Sequence, residues 1–259
     1  MLAEERRERI SLMLRDEKRV SVGELSASFN VSEETIRRDL EKLESSGIAR
    51  RTYGGALLNE DERKETPYDV RKRSDVEAKY AIARLAAGLI HDGDYIMLDE
   101  SSTSFFVACQ LKQLKNLTLI TNSMEIVEEL SGIEGWTILC TGGLKRMNAP
   151  SFAGHQAESM VRSYHVDKAI ISCNSIDMSI GFTDRHEDTA LLKRAMMASS
   201  KQVILAADKT KFDKIAFARI GTLNDIDYLV TDFKPDENWT KALKEQQVRL
   251  LYEDRREED

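Results

Sequence analysis

Two sets of side chains in this chain of 259 residues have the types and spacing to bind anions. The first is Ser32, Thr35, Arg37, Arg38 and Lys42, followed by Arg50, Arg51 and Gly54. Guanidinium and ammonium groups at helical spacing donate to phosphate oxygens, and a guanidinium also grips a guanine edge with two parallel bonds. The second set is discontinuous: Asp99, Ser101, Ser102 and Thr103; Asn122; Gly142 and Gly143; Asn174; Glu187 and Lys193; Asp208 and Lys211. Hydroxyls, amides and glycine-freed backbone suit a small sugar-like ligand, while open N–H groups and lysine cations suit a phosphate on it. Singly, such residues are ordinary helix caps, turns and surface charges. Apart from Glu187 and Lys193, which lie on a helical segment, each directly follows a β-prone apolar run, and that shared position sets them apart.

The elements that carry the first set are legible from caps and periodicity. Ser21 with Glu24 forms a capping box, and Val20 with Leu25 a hydrophobic staple. Ser32 caps the next helix, with Val31 and Ile36 as its staple, Glu33 and Glu34 in its first turn, and Gly47 as its left-handed stop. Only Phe29-Asn30-Val31 separates the two helices. Ile36, Leu40 and Leu43 form the buried stripe of helix 32–46, so Arg38 points outward, Thr35 and Lys42 lie on one flank and Arg37 on the other. Arg50 and Arg51 then enter a hairpin turned by Gly54-Gly55. This is the pattern of a winged helix-turn-helix, which places a helix in the major groove of double-stranded DNA. Glu34 and Glu41 share the outward face and oppose phosphate. Residues 1–58 hold 11 Lys+Arg and 11 Asp+Glu, so affinity must come from the placement of a few cations rather than from a basic surface.

A first helix is predicted over Leu2–Arg15, and the charged segment Asn59–Pro67 reads as a linker between residues 1–58 and 68–259. A long helical pattern covers Tyr68–Ile90. Strands are then predicted at 95–98, 117–120, 136–140, 167–172, 202–207, 226–230 and 248–252, alternating with helical segments such as 104–111, 123–130 and 186–200. That rhythm implies an α/β domain with a largely parallel sheet. Ligands of such sheets bind outside the carboxyl ends of the strands, where most of the second set falls.

The three cysteines, Cys109, Cys140 and Cys173, are isolated, and the four histidines have no ligand spacing, so neither a structural zinc nor a disulfide framework is expected. The N-terminus is charged from Glu4 onward, which argues against a signal peptide, and no apolar run reaches the length of a membrane helix. A reduced, cytoplasmic setting follows as the expectation.

The motifs SEETIRRDLEKLESSGIARRTYGGA at 32–56, DESST at 99–103, TNS at 121–123, TGG at 141–143 and ADKTKF at 207–212 together resemble the DeoR/GlpR-type bacterial transcriptional regulators over nearly the whole chain. The resemblance implies an N-terminal all-α winged helix-turn-helix and a C-terminal ribose-phosphate-isomerase-like α/β sensor. It implies Arg37, Arg38, Arg51 and Gly54 at DNA, and Asp99, Ser101, Ser102, Thr103, Asn122, Gly142, Gly143, Asp208 and Lys211 at the effector. It further implies a phosphorylated sugar as effector and no cofactor, repression of a carbohydrate operon, and a homodimer or homotetramer rather than an enzyme. One departure stands out. Where such proteins often carry Gly-x-Asp-Gly, this chain has Ser172-Cys173-Asn174-Ser175. The rival readings are a sugar-phosphate isomerase using Asp99, Glu187 and Lys211, and an α/β domain that only oligomerises.

Overall fold

The computed structural model describes residues 2–45, 48–58, 66–147 and 149–253. Gly47 and most of the expected linker, 59–65, lie outside the described residues. The chain divides into two compact units, Met1–Val70 and Arg71–Asp259.

In the first unit, helix α1 (Ala3–Glu17) leads to strand β1 (Arg19–Ser21), helices α2 (Val22–Phe29) and α3 (Glu33–Ser45), and strands β2 (Ala49–Thr52) and β3 (Gly55–Leu58). The caps form as their residues dictate. Ser21 Oγ accepts from the Glu24 N–H at 3.2 Å and donates to the Glu24 carboxylate at 2.7 Å, and Ser32 Oγ accepts from the Thr35 N–H at 3.3 Å. Asn30, at φ 51°, takes the left-handed conformation that ends α2. Ile36, Leu40 and Leu43 are buried against Ile10, Leu14 and Leu25. Asp39 joins this buried face, where Arg6 Nε binds it at 2.6 Å and Arg7 Nη1 lies at 3.4 Å, so an ion pair ties α3 to α1. The unit, expected as all-α with a hairpin, instead carries a three-stranded antiparallel sheet in the order β1-β3-β2. A three-residue strand such as β1 is too short to leave a periodic signal in the sequence.

The single helix expected over Tyr68–Ile90 is two: α4 (Tyr68–Arg73) and α5 (Val76–Ala87). The break falls at Ser74-Asp75, where Asp75 adopts φ 49° and Ser74 Oγ donates back to the Arg71 carbonyl at 3.1 Å. There follow β4 (Tyr95–Leu98), α6 (Ser102–Gln110), β5 (Thr118–Thr121), α7 (Met124–Leu130), β6 (Thr137–Cys140), the ribbon β7 (Leu144–Lys145) and β8 (Phe152–Ala153), and α8 (His155–Arg162). The second half holds β9 (Val166–Ser172), β10 (Ser175–Asp177), β11 (Gly181–Asp184), α9 (Glu187–Ala198), β12 (Ser200–Ala206), β13 (Ala218–Gly221), β14 (Tyr228–Thr231), α10 (Glu237–Glu245) and β15 (Arg249–Tyr252).

Seven of these strands form one parallel sheet in the order β15-β14-β12-β9-β4-β5-β6. Alternate residues supply opposite faces. Ile96, Leu98, Ile170 and Ile204 pack under α5, α6 and α7, whereas Met97, Ile171 and Leu205 pack under α8, α9 and α10. The chain runs outward from β4 through β5 and β6, then returns to the other flank of β4 as β9. Strand order therefore reverses between β4 and β9, and such a reversal opens a crevice at the carboxyl edge. A second, antiparallel sheet, β10-β11-β13, follows β9. Its strands were not anticipated, because SID, GFTD and ARIG carry no continuous apolar run of the kind that marks the strands of the parallel sheet.

Candidate functional site

On the first unit, the outward face of α3 exposes Arg37, Arg38 and Lys42, with Thr35 half-buried beside them. Arg37 Nη2 lies 2.7 Å from Glu33 and Arg38 Nε 3.3 Å from Glu34, both as i,i+4 pairs in solvent. Such pairs contribute at most about 0.5 kcal/mol, so a phosphate or base edge displaces them at little cost. Ser32 Oγ is 2.9 Å from Thr35 Oγ1 and is spent on the cap. Arg50 is exposed on β2, while Arg51 is held against the end of α3 by Glu44, through its N–H at 3.0 Å and its Nε at 2.9 Å. The hairpin turns at Tyr53-Gly54, and the Gly54 carbonyl accepts from the Val22 N–H at 2.8 Å. The sterically demanding glycine is the next one: a Cβ on Gly55 would lie 2.0 Å from the Val20 carbonyl oxygen. Tyr53 stands fully exposed at the tip, a residue the sequence reading passed over.

On the second unit, the strand-order reversal is filled by a closed network. Asp99, fully buried after β4, accepts at one oxygen from the Ser101 N–H (3.1 Å), Ser101 Oγ (2.6 Å) and Ser104 Oγ (2.5 Å). Its other oxygen accepts from the Ser172 N–H at 2.8 Å, across the crevice at the end of β9, and faces Lys193 Nζ at 3.2 Å. Lys193, reaching in from α9, donates to the Ser172 carbonyl at 2.9 Å and to Asp184 at 2.7 Å. Burial alone would lower the Lys193 pKa, but Asp184, Asp99 and Glu100 outweigh it and hold it above the ordinary lysine range. Burial likewise pushes the Asp184 carboxyl up, and the Lys193 ammonium more than reverses that. Asp99, Ser101 and Lys193 thus spend their hydrogen bonds within the protein. The sequence reading missed Asp184 and Ser104, since Asp184 belongs to an unanticipated strand.

Around this network stand the other predicted residues. Ser102 and Thr103 open α6 and are buried. The Ser104 and Phe105 N–H groups bond to Ser101 Oγ (3.0 Å) and the Ser101 carbonyl (3.1 Å), which leaves the N–H groups of Ser102 and Thr103 as open donors of the helix start among the described residues. Asn122, buried after β5, donates to Glu100 at 2.9 Å and to the Phe152 carbonyl at 2.8 Å. Gly142 and Gly143 follow β6, and a Cβ on Gly143 would lie 2.8 Å from the Ala153 carbonyl oxygen, so the ribbon can fold back only over glycine. Asn174 Oδ1 accepts from Arg185 Nε at 3.2 Å. Asp208 is buried after β12, caps a short turn through the Thr210 N–H at 2.9 Å, and lies 3.9 Å from Lys211. Burial raises its pKa, and Lys211 and Thr210 more than offset this. Cys173, in the loop that departs from the Gly-x-Asp-Gly pattern, is buried and its thiol is pushed up to about 12, while Asn174 stands where the acid was expected. Glu187 is exposed in the first turn of α9 and shares none of these bonds among the described residues.

Residues 6–62 match the DeoR-like helix-turn-helix domain, and residues 74–233 match the DeoR C terminal sensor domain. The chain belongs to the DeoR family. It is 40% identical over 250 residues to the HTH-type transcriptional regulator YulB of Bacillus subtilis, covering 96% of each chain. The transcriptional repressor AccR of Agrobacterium fabrum is 37% identical over 88% of this chain and 89% of its own. The HTH-type transcriptional repressor GlcR of Bacillus subtilis is 38% identical over 97% of this chain and 96% of its own. Ribose 5-phosphate isomerase A of Methanocaldococcus jannaschii aligns at 16% identity and a TM-score of 0.40 over 54% of this chain and 55% of that one. In this DeoR-family regulator, no helix among the described residues is long and apolar enough to cross a membrane. Nor, among those residues, does any group of three or more His, Cys, Asp or Glu stand ready to hold a metal ion.

Proposed function

We propose that this DeoR-family protein is a cytoplasmic repressor of an operon for uptake or breakdown of a sugar or related carbohydrate. It acts as a homodimer or homotetramer on double-stranded operator DNA, and a phosphorylated sugar at the carboxyl edge of the seven-stranded sheet controls that binding. The observation that carries this reading is the pairing, in one chain, of an exposed arginine face on α3 with a buried polar edge at a strand-order reversal. Arg37, Arg38 and Lys42 meet the major groove and its phosphates, and Arg50, Arg51 and the wing meet backbone beside it. The N–H groups of Ser102 and Thr103, with Lys211, hold the phosphate of the effector. Asn122, Gly142, Gly143, Asn174 and Asp208 surround its sugar, while Asp99, Ser101 and Lys193 act as the frame. Repression is supported by the names that AccR and GlcR carry.

The sensor performs no turnover in this reading. The isomerase alternative needs Asp99 as an acid or base, and its carboxylate is already fully engaged. A mobility-shift titration of the protein on its own upstream region, with and without phosphorylated pentoses and hexoses, tests the proposal. Retardation at low salt that one of these sugars weakens is the expected result. Indifference to every upstream fragment rejects it, and turnover of a sugar phosphate replaces it with the enzyme reading.

A further inference from the structure

Beside the Asp99–Lys193 network, a second nest of polar side chains lies where the β7–β8 ribbon meets the ends of β4 and β5. Glu100, Asn122 and Ser151 are 5%, 1% and 0% exposed. The chain path brings them together: the Phe152 N–H bonds to the Asn122 carbonyl at 2.9 Å, Ser151 bridges to Ser123, and the Arg146 N–H bonds to the Ser151 carbonyl at 2.9 Å. Arg146 Nη1 lies 3.6 Å from Glu100 and balances its charge. The orientation of the Asn122 amide is dictated by its partners. Its nitrogen faces the Glu100 carboxylate and the Phe152 carbonyl, and both of those groups only accept. The atom left over is therefore Oδ1, an acceptor, and it is buried without a partner among the described residues; so is Ser151 Oγ. Buried polar atoms are nearly always bonded, so two open ones in one nest mark a place where something else bonds. The Glu100 carboxyl points the same way, since burial pushes its pKa above the ordinary range and a hydrogen-bond donor would relieve it.

We propose that Glu100, Asn122 and Ser151 form the subsite that reads the hydroxyl pattern of the effector. One ligand hydroxyl donates to Asn122 Oδ1, its neighbour donates to the Glu100 carboxylate, and Ser151 Oγ exchanges a hydrogen bond with the same pair. The class of ligand is a polyhydroxylated chain or ring with adjacent hydroxyls, or with an amine in place of one of them. The inference rests on the effector reading above and adds to it the residues that discriminate one sugar from another. A site built to bond a hydroxyl rejects an analogue lacking it far more strongly than an apolar pocket rejects an added group.

The test uses the full chain with glucose 6-phosphate, galactose 6-phosphate, fructose 6-phosphate, ribose 5-phosphate, glucosamine 6-phosphate and 2-deoxyglucose 6-phosphate, and with inorganic phosphate as the probe for the phosphate alone. Thermal midpoints identify the ligands, and calorimetric titration ranks them; glucosamine against glucose 6-phosphate separates amine from hydroxyl. Ser151→Ala removes an atom that bonds nothing, so its midpoint without ligand equals or exceeds that of the parent. Its affinity for the preferred sugar phosphate falls about tenfold, with its response to inorganic phosphate unchanged. Glu100→Gln narrows the preference between epimers. Full sugar affinity in Ser151→Ala overturns the subsite while leaving the effector reading intact, and shows the hydroxyl to be idle or to hold only water. No midpoint rise with any sugar phosphate overturns the effector reading and the subsite together.

Discussion

Arg38 sits mid-way across the outward face of α3, with its side chain 74% exposed and Glu34 3.3 Å from its Nε. It has no structural duty that a short side chain would betray. Arg38→Ala is therefore expected to leave the thermal midpoint unchanged and to weaken operator binding by about 1–3 kcal/mol if it reads a base edge. Equal operator affinity of parent and variant in a mobility-shift titration would remove Arg38 from the interface. Lys193 is the opposite case, since its ammonium is the buried counter-charge of both Asp99 and Asp184. Lys193→Met strands two carboxylates and is expected to cost about 3–5 kcal/mol of stability in urea unfolding; a loss under 1 kcal/mol would show the pairing to be incidental. Asp184, with its folded pKa lowered, contributes stability that is present above the usual carboxylate range and lost as pH falls through that lowered value. Glu100 has the reverse sign. Its folded pKa is raised, so the native state holds the proton longer than the unfolded chain, and stability declines as pH rises from about 4.3 through the raised value. Glu100→Gln should match the parent below that window and exceed it at pH 8 in thermal midpoint. A constant difference across the range would contradict this.

At the scale of elements, the wing depends on one close approach. Strand β3 lies so near β1 that Gly55 has no room for a Cβ, whereas Gly54, one residue earlier at the turn, has nothing within 4 Å of its own. Gly55→Ala should therefore cost about 3 kcal/mol or more of stability in the first unit, while Gly54→Ala stays close to neutral. Circular dichroism melts of the two variants decide it, and similar midpoints would mean that β1 can move aside. The adjacent glycines look alike in sequence. Only the pairing Ser21↔Gly55 distinguishes them. The same limit applies to the helix expected over Tyr68–Ile90, where the apolar face of KYAIARLAAGLI carries no sign of the left-handed backbone at Asp75.

For the whole molecule, the proposed coupling between sugar and DNA obeys reciprocity. If the sugar phosphate weakens operator affinity by some factor, the operator must weaken sugar affinity by the same factor. Isothermal titration of the sugar into free protein and into the protein–operator complex measures that factor, and equal sugar affinity in the two would show that the sites are not coupled. A ligand at 100 times its Kd should also add about 2.7 kcal/mol to the stability of the unit that binds it.

Local signals carried the caps at Ser21 and Ser32, the buried stripe Ile36-Leu40-Leu43, the parallel α/β rhythm and the polar residues after each strand. These depend on neighbours within a turn or a strand, and residue type and spacing specify them directly. Tertiary structure alone decided which of those polar residues remain open. Asp99 and Lys193 look like ligand contacts in sequence, yet Ser172 and Asp184, far away along the chain, consume their bonding capacity. Glu100 and Ser151 look unremarkable, yet the return of the ribbon over Gly143 buries them beside Asn122, where Asn122 Oδ1 and Ser151 Oγ have no partner among the described residues. Hydrogen-bond capacity is satisfied in space rather than along the chain. Sequence could therefore point to the edge of the sheet at which a ligand is proposed, and only the fold could separate the groups already bonded from those still open.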